Sequence, residues 1–168
     1  CGPSLSLHEL QGVDDGAGNL LHAIDAIGVS AGKAVSTSRP SISVKLSALH
    51  QRFEPLGRDQ VMIELVPRAL ELARMARKHD INFTVDAEEA DRLELTLDVI
   101  AAVLPDPSLR GWDGFGLAVQ AYLKRAPAVI DWLDQTAGGL GRRLMVRLVK
   151  GAYWDTEVKR AQERGLAD

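Results

Sequence analysis

One cysteine, Cys1, stands in the whole 168-residue sequence, and a single thiol can build neither a disulfide framework nor a cysteine-based zinc site. A reducing, cytoplasmic setting is expected. Long apolar runs are also missing. Lys, Arg, Asp or Glu interrupts even the richest stretches well before the roughly 18 residues a bilayer span needs, so an integral membrane protein is excluded. There is no excess of positive charge: 20 Lys and Arg against 23 Asp and Glu give a net charge of -3, which leaves no field to collect nucleic acid or an anionic membrane. No GxGxxG follows a strand-like run and no GxxxxGK[ST] occurs, so the usual dinucleotide and nucleoside triphosphate loops are absent. His8, His22, His50 and His79 show no metal-ligand spacing, and no metal is expected; His79, near a helix end, reads as a surface residue. The opening CGPSLSLHELQG lacks a basic region followed by an apolar segment, so no secretory signal is expected on it. What remains, 46% hydrophobic and 26% charged residues, is the composition of an ordinary globular domain.

The first forty residues are poorly determined, with scattered glycines and a Ser/Thr-rich close at Ser36 to Pro40. One short helix survives there, NLLHAIDAIG, with Asn19 placed to cap it and Gly28 to end it. From Ser41 to Asp168 short β-rich runs alternate with amphipathic stretches. The strands are expected at 41–48, 81–87, 115–122 and 143–151, with helices over 58–78, kinked at Pro67, and over 87–103. Strand starts recur every roughly 30 to 40 residues, the length of a strand with its crossover helix. That pattern is α/β, with about four βα units and parallel strands.

Alternation inside the strands separates an apolar face from a small or polar one. Ile42, Val44 and Leu46 oppose Ser43, Lys45 and Ser47; Phe83 and Val85 oppose Thr84 and Asp86; Leu117 and Val119 oppose Gly116, Ala118 and Gln120; Val146 and Leu148 oppose Met145 and Arg147. Sheets covered by helices on both faces read as continuous apolar runs, whereas these strands have a face suited to a lumen. Part of a (β/α)8 TIM-like barrel is expected, about half of one, with its chemistry at the C-terminal strand ends.

Lys45, mid-strand on the lumen side, needs a counter-charge or an anionic ligand; a plain ion pair with Asp86 is the bland alternative. Asp86 equally reads as a helix N-cap in DAEEAD, with Glu89 closing a capping box, while Glu88, Glu89 and Asp91 read as first-turn acids without a catalytic role. Gln120 lies beside the flat wall of Gly116 and Ala118, which suits a planar ring, or it is an amide bonded to a neighbour. Arg147 repeats the pattern of Lys45 on a further strand. Two buried cations against one acid call for an anionic or electron-accepting ligand. Past the strand, KGAYWD places Gly151, Tyr153 and Trp154 at the mouth, to stack on a ring or to form a hydrophobic lid.

The blocks SISVKLSALH, TVDAEEADRLE, GLAVQAYLKRAP and RRLMVRLVKGAYWD, in this order and spacing, resemble the proline dehydrogenase domain of the bacterial proline utilisation A family from about Pro40 to Leu166. The resemblance implies an FAD-dependent barrel that oxidises L-proline to Δ1-pyrroline-5-carboxylate, the first step of proline catabolism. It implies electron transfer to a membrane quinone, with the full protein cytoplasmic and peripheral on the inner membrane. By position, Lys45, Asp86, Ala152 and Tyr153 would meet the substrate. Gln120, Arg147, Val149, Lys150, Gly151 and Trp154 would border the flavin, with Arg147 by N5 and Lys45, Asp86 and Arg147 forming the catalytic set. Where the family has a first strand like FSFDMLGE, PSLSLHELQG shares little beyond alternation, and the family's later strands and paired arginines are not among these 168 residues. Exposed sheet edges would favour self-association. The competing reading is a catalytically silent half-barrel acting as an assembly module; no nucleic-acid role is expected of this segment.

Overall fold

The computed structural model describes residues 4–6, 13–31 and 40–166. Five parallel strands lie side by side in chain order: β1 (Ser4–Ser6), β2 (Ser41–Val44), β3 (Asn82–Val85), β4 (Phe115–Gln120) and β5 (Met145–Val149). Between and after them run α1 (Val13–Ala31), α2 (Arg58–Lys78), α3 (Leu93–Val103), α4 (Ala126–Gly139) and α5 (Trp154–Glu163). All four expected strands are present but shorter, and the alternating SLS of the N-terminal segment supplies a fifth, pairing Ser4 to Ser6 with Ser41 to Ser43. β2 stops at Val44 because Leu46–Ala48 tightens into a 3-10 turn, although Leu46 still buries its side chain.

The core lies between the apolar face of the sheet and the helices. In α2, Val61, Leu65, Ala69, Leu72 and Ala76 recur at helical spacing and are all buried, and the helix runs through the exposed Pro67 without interruption. Register aligns Ile42, Phe83 and Phe115 across three strands, with the two phenylalanine rings 5.5 Å apart. The next apolar row is Val44, Val85, Leu117 and Val146. Here one expectation fails. Val146 and Leu148 should pack under helices, yet they are 43% and 61% exposed, because β5 is the edge of the sheet among the described residues and α5 buries none of its residues.

The N-terminal helix is also longer than its sequence pattern. Asn19 and Gly28 lie inside α1 rather than at its ends, and Gly28 is there for a tertiary reason. A Cβ at Gly28 would sit 2.1 Å from His79 Cγ, so the missing side chain is the space the imidazole occupies. His79 is accordingly half-buried, not a surface residue, and its Nε2 lies 2.8 Å from Asp25 Oδ1. That hydrogen bond holds the Asp25 carboxyl below its ordinary range. Its contribution is therefore present at neutral pH and is lost as pH falls through the lowered value. Gly28→Ala should destabilise the protein in urea unfolding by about 1–2 kcal/mol. The gain in helix propensity, about 1 kcal/mol, is outweighed by overpacking against a ring that cannot move without leaving Asp25. An unchanged or raised midpoint would show that α1 and α2 yield easily at this contact.

Candidate active site

The register carries the polar face into a transverse row. Val44 pairs Val85, Val85 pairs Leu117 and Leu117 pairs Val146, so the next position along each strand brings Lys45, Asp86, Ala118 and Arg147 into line at the C-terminal end of the sheet. Ala118 is the reason the row works. Its methyl group leaves the Arg147 side chain room to cross β4 and ion-pair with Asp86 on the far side. One turn of the alternation further on lie Ser47, Glu88, Gln120 and Val149, again from four successive units.

These rows line an open cleft of about 370 Å³ formed by Lys45, Asp86, Ala118, Gln120, Arg147 and Gly151, with Ala87, Val149, Ala152 and Tyr153 around them. Eight of the ten residues singled out from the sequence are thus brought together. Lys150 and Trp154 are not on the wall; Trp154 opens α5 with its side chain 54% exposed, and Lys150 is exposed beside Gly151. The cations are less buried than expected, since the Arg147 side chain is 47% exposed and that of Asp86 15%. Water reaches the Arg147 end of the pair while Asp86 is largely covered, so the guanidinium is accessible from the cleft. The ionisable lining still carries two cations against one carboxylate.

Asp86 does not cap a helix. The 3-10 turn Ala90–Arg92 has Glu89 at its N-cap without a side-chain cap bond, and α3 begins only at Leu93. The carboxylate of Asp86 goes to Arg147 instead, because the ion pair across the row outcompetes the local amides. Glu88, expected as a first-turn acid serving the helix dipole, is buried: its Oε1 accepts from Ser47 N at 3.0 Å and its Oε2 from Arg92 at 3.1 Å. Its main-chain oxygen accepts from Gln120 Nε2 at 2.9 Å, and Gln120 Oε1 accepts from Ala152 N at 3.2 Å. Gln120 therefore fastens the β3 loop to the β5 loop while each polar atom keeps capacity for one further hydrogen bond. The signal for Glu88 was its parity: it continues the strand alternation two residues beyond Asp86, in the row of Gln120.

Gly151 follows β5 with φ +121°, and a Cβ there would lie 2.2 Å from the Tyr122 ring, so the chain passes the cleft at a distance only glycine permits. The flat wall of Ala118 and Gly151, the amide of Gln120 and the guanidinium of Arg147 fit a planar, electron-accepting heterocycle. Among the described residues no cluster of His, Cys, Asp and Glu is arranged to hold a metal ion, and no helix is long and apolar enough to cross a membrane.

The model of the proline dehydrogenase family matches residues 10–168. The bifunctional protein PutA of Salmonella typhimurium is 52% identical over 144 residues, 86% of this chain and 11% of that protein. PutA of Rhizobium meliloti is 57% identical over 129 residues, 77% of this chain and 10% of its own length. A crystal structure of a Bradyrhizobium japonicum proline utilization A variant superposes with a TM-score of 0.88 at 66% identity, covering 92% of this chain and 16% of that one. The chain thus spans about a tenth of the length of the curated relatives it matches. Its parallel βα units are part of a TIM-like barrel. With the family model matching almost the whole sequence, the chain belongs to the proline dehydrogenase family.

Proposed function

We propose that this chain supplies part of the active site of an FAD-dependent proline dehydrogenase that oxidises L-proline to Δ1-pyrroline-5-carboxylate, the first step of proline catabolism. The single observation that carries the reading is the row of Lys45, Asp86, Ala118 and Arg147 along one wall of a cleft in a member of this family. L-Proline brings a carboxylate, and the Lys45 ammonium is the cation that would bind it, with Asp86, Ala152 and Tyr153 around the ring. Gln120, Arg147, Val149 and Gly151 would hold the flavin on the wall, with Lys150 and Trp154 at its margin. A bound flavin supplies the two-electron acceptor for the oxidation. Arg147 would place positive charge where negative charge grows, and Asp86 would hold that guanidinium in position. Residues 41–168 would carry the site, and the N-terminal segment of residues 1–40 adds β1 to the same sheet. In the full-length protein a membrane quinone would take the electrons by peripheral association with the inner membrane of a bacterial cell, and open sheet edges would favour self-association.

The test is optical. The purified full-length protein should show a flavin band near about 450 nm that L-proline bleaches without oxygen. A colourless protein would remove the cofactor, and a band that proline leaves unchanged would remove the substrate. In the latter cases the alternative, a silent segment whose exposed β5 edge serves assembly, would stand.

A further inference from the structure

The 3-10 turn Ala90–Arg92 lies four residues past Asp86 and has no cap of its own, since the Glu89 side chain makes no cap bond. Its first amide is nevertheless satisfied. Glu157 Oε1, in the first turn of α5, accepts from Ala90 N at 2.9 Å across 67 residues of chain. The carbonyl of the same residue is also held, where Arg125 donates to Ala90 O at 3.0 Å and to Glu94 Oε1 at 2.9 Å. Ala90 is therefore the joint at which the segments following β3, β4 and β5 meet. An acid in the first turn of a helix ordinarily serves its own dipole and is exposed. Glu157 reaches away from its helix to cap another turn.

The space beneath this bond is filled. Tyr122 packs its ring where Gly151 lacks a Cβ, and its hydroxyl is buried without a hydrogen-bond partner among the described residues. Burial, and then the carboxylates of Glu157 and Glu89, push its phenol up from the ordinary value. Tyr122 thus neighbours both Gly151 of the cleft wall and the Glu157 carboxylate. The two segments that Glu157 joins are those that carry Asp86 and Arg147, a single ion pair whose guanidinium end is 47% exposed.

We propose that Glu157 is a positioning residue: its bond to the Ala90 amide sets the distance between the β3 and β5 loops and so aligns Asp86 with Arg147. The alignment itself is a statement about this chain; its effect on proline oxidation rests on the function proposed above. No charge is required for the bond, only an acceptor oxygen at that reach, so Gln should serve where Ala cannot.

Glu157→Ala and Glu157→Gln are made in the full-length protein. Amide hydrogen exchange across residues 86–92 should speed up by about tenfold or more in Glu157→Ala, because the Ala90 amide loses its acceptor, and stay within about threefold of the parent in Glu157→Gln. The limiting rate of flavin reduction at saturating L-proline should fall about tenfold in the Ala variant, with a smaller change in proline affinity, and recover in the Gln variant. Exchange in Glu157→Ala equal to the parent would overturn the latch, as would a Gln variant behaving like Ala. Faster exchange with an unchanged reduction rate would overturn the positioning role. If the parent protein itself is not reduced by proline, the proposed activity fails, and the exchange comparison still decides the latch.

Discussion

Arg147→Met in the full-length protein should lower the limiting rate of flavin reduction by L-proline about 100- to 1000-fold, while proline affinity changes far less. A donor aimed at developing charge acts on the transition state more than on the bound ground state. Such groups supply about 2.7–4 kcal/mol when removed singly. The fold should survive, because the guanidinium removed is itself half-exposed and lies outside the apolar core. Met keeps the length and apolar stem of the side chain across Ala118 and removes only the guanidinium. Since Asp86 is left facing the cleft without that cation, the double variant Asp86→Asn with Arg147→Met should lose no more than a few-fold beyond the single one, as expected for groups that act as a unit. Stopped-flow reduction at saturating proline decides it: an unchanged limiting rate with a raised KM would confine Arg147 to substrate binding.

Much of this site was legible because a parallel ladder converts strand parity into a shared surface. Lys45, Asp86, Gln120 and Arg147 fall on the polar face of four separate runs, and four parallel strands in step bring one such residue from each unit to the same end. Helix 58–78 was legible to the residue, since its apolar stripe is uninterrupted. The failures share a cause, which is that a local signal was overruled by a partner distant in sequence. Gly28 looks like a helix stop and is a contact with His79, 51 positions on. DAEEAD looks like a capping box, but Asp86 finds Arg147, Glu88 finds the Ser47 amide, and the turn is capped by Glu157. The apolar alternation of Val146 and Leu148 reads as core, yet the sheet ends there among the described residues. Each of these turns on which strand or helix lies alongside, and composition and periodicity do not encode that.

The largest effect is expected for a polypeptide of these 168 residues alone, which should show little or no proline dehydrogenase activity. Three features of the structure argue for it. The cleft is open on the β5 side, where Arg147 is 47% exposed, so water would screen the charges that have to act on substrate. Val146 and Leu148 present apolar surface on β5, the edge strand of the sheet among the described residues, which favours association over a dry pocket. Lys45 and Arg147 are the only cations on the cleft wall among the described residues, Arg147 is already paired with Asp86, and this lining gives a carboxylate little to fix its orientation, whereas orientation can supply about 7–11 kcal/mol of barrier reduction. The measurement sets this polypeptide beside the full-length protein with FAD, L-proline and an artificial electron acceptor. Turnover within about tenfold, a difference of only ~1.4 kcal/mol in activation free energy, would mean that the first βα units assemble a working site without the rest of the barrel.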